Sequence, residues 1–317
     1  MKILIYGAGV IGSIFAGKLA SAKNDVTVTV LARGKRFEEL KKDGIALANP
    51  RTMKVEQATV NVIDMLLPDD RYDYIIVAMQ RTQVDDILSV LSQNCTKNIV
   101  FVVNTAGGYD KWVTAVGKDR LMIGFLSAGG ERKDGKVYYF VGRGIQRTFQ
   151  TTTFGEYNGE KTKRVDTLIR IFNKSKIPAV FCRDMDAWQK THVSLVTSIA
   201  NALYGFNCDN FKFGQSYNAV KLMSRGIQEG RQVLRKNGIP PTPRKLFWLD
   251  MPLSVLAGFF SVFMRTTLAE TTMDKHCVAA KSEMIFLQQE FDELIIKSGI
   301  DTPAIDELKK NLASFCI

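Results

Sequence analysis

The chain opens with a short apolar run that ends in three regularly spaced glycines. Residues 2–12 read Lys-Ile-Leu-Ile-Tyr-Gly-Ala-Gly-Val-Ile-Gly, which places the pattern Gly-x-Gly-x-x-Gly at Gly7, Gly9 and Gly12. The residues before the glycines are typical of a β-strand, and residues 10–22 are typical of a helix. A dinucleotide-binding βαβ unit requires this order of strand, turn and helix. We therefore predict a dinucleotide site at the start of the chain.

Each glycine of this turn has its own physical task. Gly7 permits the tight turn, Gly9 lets the backbone approach a pyrophosphate, and Gly12 lets the helix pack closely on the strand. The phosphates would then meet the positive end of the helix dipole. We expect the whole turn to contact the cofactor, through Gly7, Ala8, Gly9, Val10, Ile11 and Gly12.

Strand-like and helix-like segments continue to alternate after the glycine turn. Residues 25–31 alternate into a β-branched run typical of a strand, and residues 74–78 and 99–103 are apolar runs of strand length, as expected for buried parallel strands. Residues 34–42 and 83–91 have helical spacing and separate these runs. The pattern predicts an α/β fold with a Rossmann-type doubly wound parallel sheet.

The second half of the chain has a different character. Residues 137–141 and 147–154 predict an antiparallel hairpin that extends the sheet. Strand signals vanish beyond residue 183, and long helical stretches follow. We therefore expect a Rossmann domain over residues 1–183 and an all-helical domain over residues 184–317, which would hold the substrate.

The net charge of +11 restricts the classes of partner. Residues 1–182 carry 27 Lys and Arg against 18 Asp and Glu, so nearly all of the excess lies in the half with the glycine turn. The sequence contains no helix-turn-helix, RNP or zinc pattern and no dense basic tract. An anionic nucleotide is therefore the expected partner, and nucleic acid is not.

Cysteine and histidine usage argues against a metal site. The five cysteines are scattered, and the two histidines are His192 and His276. We predict no metal and a reducing, cytoplasmic setting. The apolar segment 251–264 is shorter than the roughly 20 residues of a membrane span, so no membrane association is expected. That segment could cover a pocket or form a homodimer interface.

The end of the second predicted strand indicates which dinucleotide binds. NAD-specific sites place Asp or Glu there, to bind the ribose 2′-hydroxyl. Here the sequence runs Leu-Ala-Arg33-Gly-Lys35-Arg36, without a carboxylate. A guanidinium pairs bidentately with a phosphate, so Arg33 favours NADP(H) through its 2′-phosphate.

Four segments together carry a family resemblance that runs along the whole chain. They are the glycine turn with Arg33, the loop Asn104-Thr-Ala-Gly107, the motif Trp188-Gln-Lys190, and Ser282-Glu283 followed by Gly-Ile-Asp-Thr-Pro at 299–303. In these segments the chain resembles the 2-dehydropantoate 2-reductase (ketopantoate reductase) family. The resemblance implies an oxidoreductase that acts on a CH-OH/C=O group with NADP(H).

The resemblance also implies roles for individual residues. Lys190 would be the catalytic general acid, and Glu283 a second catalytic residue that anchors the substrate. Asn104 would contact both cofactor and substrate, and Gln80 would contact the cofactor. Further substrate contacts are implied at Ser194, Ser198 and Thr271.

The chain departs from the family pattern at several of these positions. Gln80 stands where the family often has Lys, and Ser194 and Ser198 stand where it has Asn. We predict NADPH-dependent reduction of a small 2-keto, ketopantoate-like substrate, with Lys190 as the acid. Two alternatives remain open: a reductase of a different carbonyl compound, and a non-catalytic NADP-binding sensor or scaffold.

Overall fold

The computed structural model describes residues 1–22, 25–49, 52–126, 128–141, 151–270, 273, 277 and 280–314. The chain divides into two compact units. The first contains Met1–Val103 and Tyr109–Met185, and the second contains Asn104–Gly108 and Asp186–Ile317. The main division therefore lies between residues 185 and 186, and the short segment 104–108 groups with the second unit.

The first unit contains the strands. In chain order they are β1 (Lys2–Tyr6), β2 (Thr27–Leu31), β3 (Ile45–Ala48), β4 (Val55–Ala58), β5 (Asn61–Ile63), β6 (Tyr74–Val77), β7 (Ile99–Val102), β8 (Leu121–Phe125), β9 (Ala128–Lys133), β10 (Lys136–Val141), β11 (Thr152–Glu156) and β12 (Ala179–Phe181). Its helices are α1 (Val10–Ser21), α2 (Gly34–Asp43), α3 (Arg81–Val84), α4 (Leu88–Gln93), α5 (Asp110–Val116) and α6 (Lys163–Lys174).

The larger sheet has eight strands in the order β12-β11-β8-β7-β6-β1-β2-β5. Strand β1 pairs in parallel with both β2 and β6, and β7 continues the parallel arrangement from β6 to β8. Ile3 and Ile5 pack in the cluster that includes Phe15 of α1, whereas Leu4 belongs to the cluster that includes Trp112 of α5. Because both faces are covered, the predicted doubly wound α/β sheet is confirmed.

The predicted hairpin has different partners in the structure. Strand β10 pairs antiparallel with β9, and a smaller sheet forms in the order β4-β3-β10-β9. The described part of the second predicted strand, β11, pairs instead with β8 and β12 in the larger sheet. The predicted pairing of 137–141 with 147–154 is therefore wrong, and residues 142–150 lie outside the described part of the chain.

A local turn explains the change of partner. Asp134 and Gly135 join β9 to β10 as a two-residue loop, with φ of 50° and 75°. Two positive φ values match the twist that a tight hairpin needs, and Asp-Gly is a preferred sequence for such a turn. This turn brings β10 against the residues that precede it.

The second unit is helical over its described residues, as predicted. Its helices are α7 (Met185–Tyr204), whose first residue belongs to the first unit, α8 (Asn210–Gln215), α9 (Tyr217–Lys236), α10 (Leu253–Met264), α11 (Thr267–Ala269), α12 (Lys281–Ser298) and α13 (Pro303–Ser314), with a 3-10 turn at Arg244–Asp250. Helix α9 is central and packs against α10, α12 and α13. Near the end of α9, Asp250 accepts two hydrogen bonds from the guanidinium of Arg231.

No single helix in the described part of the chain is long and apolar enough to cross a bilayer. The 3-10 turn Arg244–Asp250 and α10 meet the length and composition together, but the chain bends by 108° between them.

The contact between Gly12 and Gly7 provides a stability test. A Cβ at Gly12 would collide with the backbone carbonyl oxygen of Gly7 and lie 3.1 Å from Cγ2 of Ile5. We expect Gly12→Ala to lower the free energy of unfolding by about 3 kcal/mol, since a rigid backbone group cannot move aside. Urea denaturation measures this change.

The matched control is Gly258→Ala in α10, where a Cβ would meet nothing within 4 Å. This variant should keep its stability or gain up to about 1 kcal/mol, because Ala has the higher helix propensity. Equal stability of Gly12→Ala and the wild-type protein would contradict the packing described here.

Candidate active site

The three glycines of the turn have three different surroundings. Gly7 has a φ of 116°, and a Cβ there would lie 2.5 Å from the carbonyl oxygen of Ala78. Gly12 packs against Gly7, as described above. Gly9 is exposed, and a Cβ there would meet nothing within 4 Å. Gly7 and Gly12 therefore shape the turn, while Gly9 leaves its backbone open to an approaching ligand.

Helix α1 starts at this open position. Gly9 is its N-cap, so no side chain there accepts from the first backbone N–H groups. The first turn of α1 contains no carboxylate that would repel an anion. Free N–H groups and the positive end of the helix dipole together favour a phosphate. The geometry fits a dinucleotide pyrophosphate.

Arg33 follows the end of β2, as predicted, and contacts the neighbouring strand. Its Nη2 donates to the phenolic oxygen of Tyr6 at 3.4 Å. Burial raises the pKa of Tyr6, and the charge of Arg33 partly offsets this effect. The phenol is therefore neutral at physiological pH and can accept the hydrogen bond. Arg33 itself stays exposed, which leaves its guanidinium accessible to a phosphate.

Arg36 contacts the glycine turn directly. Its Nη2 donates to Oγ of Ser13 at 3.1 Å, and its Nε donates to the carbonyl oxygen of Ala8 at 3.4 Å. Glu39 accepts from its Nη1 at 3.1 Å. Burial lowers the pKa of Arg36, and the hydrogen bond with Glu39 counteracts that shift. The sequence showed Arg36 as part of a basic cluster, but the contact with the turn was missed.

Gln80 and Asn104 lie just after the ends of two adjacent parallel strands. Gln80 follows β6, is partly buried and is the N-cap residue of α3. Asn104 follows β7 after one intervening residue and is also partly buried. The segment that begins with Asn104 is held by Glu290, since Thr105 Oγ1 and the Ala106 backbone N both donate to that carboxylate.

Lys190 lies in the second turn of α7. Its Nζ donates to Oδ2 of Asp186 at 2.6 Å, and its side chain is 14% exposed. Asp186 was not predicted, although carboxylate and ammonium four residues apart on a helix commonly pair. Trp188 and His192, also four residues apart, stack with ring centroids 5.7 Å apart. Near the start of α7, the carboxylate of Asp186 therefore fixes the position of the Lys190 ammonium group.

Ser194 and Ser198 lie where α7 approaches α9. The hydroxyl of Ser198 donates to the carbonyl oxygen of Ser194 at 3.0 Å. The hydroxyl of Ser194 is buried and makes no hydrogen bond within the described part of the chain. A Cβ at Gly230 would collide with that hydroxyl, and one at Gly226 would lie 3.5 Å from the hydroxyl of Ser198. Both serines therefore take part in close helix packing, and their role as substrate ligands stays a prediction.

Glu283 is the remaining predicted substrate residue in the described part of the chain. It lies in the first turn of α12 and is only 6% exposed. A carboxylate this deeply placed is suited to binding a hydroxyl or a cation rather than to facing bulk water. Thr271 lies outside the described residues.

A chain of polar side chains crosses the second unit. Nδ2 of Asn201 donates to Oε1 of Gln288 at 2.9 Å, and Nε2 of Gln288 donates to Oδ1 of Asp292 at 2.8 Å. Lys309 completes it with a 2.7 Å bond to Oδ2 of Asp292. Gln288 stands where the resembled family has Asn, and here its side-chain amide forms hydrogen bonds with Asn201 and Asp292 within the second unit. Across the described residues, no group of three His, Cys, Asp or Glu is placed to hold a metal.

Comparison with known proteins places these features in a family. Residues 3–159 match the family model described as ketopantoate reductase PanE/ApbA. A relative from Pyrococcus horikoshii named 2-dehydropantoate 2-reductase is 25% identical over 241 residues, which are 75% of each chain. Residues 3–159 therefore belong to the ketopantoate reductase family. The first unit is thus the Rossmann-type NAD(P)-binding domain of a ketopantoate reductase-family oxidoreductase.

Solved structures share the fold over nearly the whole chain. The 2-dehydropantoate 2-reductase from Geobacter metallireducens GS-15 has a TM-score of 0.78 at 15% identity and covers 99% of both chains. A D-mandelate dehydrogenase with NADH and anilino(oxo)acetate also has a TM-score of 0.78, at 17% identity, and covers 99% of this chain and 98% of its own. At these identities the likeness is one of fold, and family membership rests on the sequence match.

The unpartnered hydroxyl of Ser194 provides a test of its packing role. We expect Ser194→Ala to raise the free energy of unfolding by up to about 1 kcal/mol, because the variant no longer buries an unsatisfied polar group. The control is Ser198→Ala, which loses its bond to the Ser194 carbonyl and gains less. Urea denaturation of both variants measures the difference, and a marked destabilisation by Ser194→Ala would contradict this role.

Proposed function

We propose that this chain reduces a small 2-oxo acid to the corresponding hydroxy acid with NADPH, ketopantoate being the first substrate to test. The observation that carries the proposal is the open backbone at Gly9, the N-cap of α1, next to Ala8, whose carbonyl oxygen accepts from Arg36. Family membership supplies the reaction class, reduction of a carbonyl group, through the names of the relatives.

The charge near the turn supports NADPH over NADH. No carboxylate follows β2 before residue 38, so the 2′-hydroxyl of NADH would lack its usual acceptor. Arg33 is accessible, and the partly buried Arg36 adds a second positive charge beside Ala8. Two guanidinium groups at this position favour an additional phosphate.

Lys190 is the proposed acid of the reaction. Bound NADPH would supply a hydride to the carbonyl carbon. The ammonium group of Lys190 would stabilise the negative charge that develops on the carbonyl oxygen, and would donate the proton that completes the alcohol. Asp186 would keep the Nζ atom in place through its 2.6 Å bond. Glu283 would accept a hydrogen bond from a substrate hydroxyl.

The buried serines favour the related proposal that a different 2-oxo acid is the preferred substrate. Ser194 and Ser198 pack against α9, the hydroxyl of Ser198 donates to the carbonyl oxygen of Ser194, and Gln288 forms hydrogen bonds with Asn201 and Asp292. In the resembled family, the residues at these positions would bind the polar groups of pantoate. A smaller or more apolar 2-oxo acid would need fewer such contacts.

Replacing Lys190 tests the proposed acid. Lys190→Ala should lower kcat by about 100- to 10,000-fold, which is the usual contribution of general acid catalysis. NADPH binding should stay close to that of the wild-type protein, as measured by nicotinamide fluorescence. The matched control is Lys221→Ala, an exposed lysine of α9. Unchanged turnover in Lys190→Ala would rule out this role.

Replacing Arg33 tests the cofactor preference. Arg33→Ala should lower kcat/KM for NADPH by about 10- to 100-fold, because a charged hydrogen-bonded contact is worth about 1.5–3 kcal/mol. The value for NADH should change little. Lys35→Ala, an exposed neighbour, is the control and should keep the preference. If the NADPH to NADH ratio is the same in Arg33→Ala as in the wild type, Arg33 does not read the 2′-phosphate.

A further inference from the structure

The segment 104–108 is held by a buried carboxylate far away in the sequence. Oε2 of Glu290 accepts from Oγ1 of Thr105 at 2.9 Å and from the backbone N of Ala106 at 2.8 Å. The backbone N of Gly107 in turn donates to Oγ1 of Thr105 at 3.1 Å. Three consecutive residues are therefore tied into one hydrogen-bond relay that ends on Glu290.

The fit around this carboxylate is close as well as polar. A Cβ at Gly107 would lie 3.0 Å from Oε1 of Glu290, so the carboxylate packs against the glycine backbone. Glu290 is 8% exposed, and Ala106 belongs to the hydrophobic core of the second unit. A buried carboxylate is costly unless hydrogen bonds compensate it. Here the compensation comes from the segment itself.

The segment contains a proposed site residue. Asn104 immediately precedes Thr105, so two bonds to Glu290 restrain the backbone one and two residues after Asn104. Glu290 lies seven residues after Glu283 on α12. Residues seven apart share a helix face, so the same face of α12 carries the proposed substrate anchor and the restraint on Asn104.

We propose that Glu290 and Thr105 are positioning residues that fix Asn104 for contact with the substrate and the nicotinamide. This inference rests on the proposed function. The segment follows β7 directly, and an unrestrained loop would let the Asn104 amide leave its productive orientation. A displacement of about 1 Å in a positioning group can cost about 100-fold in rate.

The test compares variants that remove the hydrogen bonds between Thr105, Ala106 and Glu290 with conservative variants that keep them. Glu290→Ala and Thr105→Val should lower kcat about 10- to 100-fold, on the scale of such displacements, and raise KM for the 2-oxo acid. Glu290→Gln and Thr105→Ser should recover most of the activity, since the Gln oxygen can still accept both bonds and Ser keeps the hydroxyl. Binding of 2′,5′-ADP, which lacks the nicotinamide, should be unchanged in all four variants.

A control variant and a hydrogen-exchange measurement separate a positioning role from a purely structural one. Glu293→Ala, an exposed glutamate on the same helix, is the matched control and should behave as the wild type. Amide hydrogen exchange of the peptide that contains Ala106 and Gly107 should accelerate in Glu290→Ala. Loss of this protection with unchanged kcat and KM in Glu290→Ala and Thr105→Val would overturn the inference.

Failure of the proposed function gives a separate result. If the wild-type protein turns over no 2-oxo acid, the proposed function is wrong. The positioning role is then tested by amide hydrogen exchange of residues 104–108 in the presence of NADPH. NADPH-dependent protection of residues 104–108 in the wild type that disappears in Glu290→Ala would still support the positioning role. Equal protection in the two proteins would overturn it.

Discussion

The close contact between Gly12 and the carbonyl of Gly7 determines where α1 begins. With no Cβ at Gly12, the helix packs directly on the turn that leaves β1, and Gly9 becomes its N-cap with the backbone exposed. The open N–H groups of α1 follow from that starting point. A longer side chain at Gly12 would move the helix and remove the geometry that suits a pyrophosphate.

The positions of the cations around the turn follow from the pairing of β1 with β2. Because β1 and β2 are parallel and adjacent, Tyr6 and Leu31 are paired residues at their ends, and Arg33 follows two residues later. Tyr6 can therefore hold the guanidinium of Arg33, while Arg36 reaches Ala8 and Ser13 from α2. In the helical unit, the partly buried Lys190 donates to Asp186, and the buried Glu290 accepts from the segment after β7.

The sequence predicted the parts of the fold that follow from local periodicity. Apolar strand runs and the Gly-x-Gly-x-x-Gly spacing predicted the doubly wound sheet, which is confirmed, and the loss of strand signals predicted the helical second unit. The predicted partner of β10 was wrong because the pairing depends on the Asp134-Gly135 turn, which the sequence analysis did not consider. The cofactor and substrate roles of individual residues stay predictions, and the structure describes the positions of all of these residues except Thr271.

Long-range contacts were beyond sequence reasoning for physical reasons. Glu290 meets Thr105 across 185 positions of the chain, and nothing in the local spacing of α12 indicates that partner. Ser194 is predicted to bind substrate because it stands where the resembled family has an Asn. Gly230 of α9 lets that helix pack against the hydroxyl of Ser194, a contact that no local spacing indicates. The contact of Asp186 with Lys190, in contrast, is local, and the spacing of four residues on a helix could have predicted it.

We propose that this chain uses bound NADPH to reduce a carbonyl compound. The most direct measurement mixes the purified wild-type protein and NADPH with a panel of 2-oxo acids that includes ketopantoate, and follows the absorbance of the reduced nicotinamide. We expect oxidation with at least one 2-oxo acid, and faster reaction with NADPH than with NADH. Tight NADPH binding without oxidation by any member of the panel would contradict the account and favour a nucleotide-binding sensor.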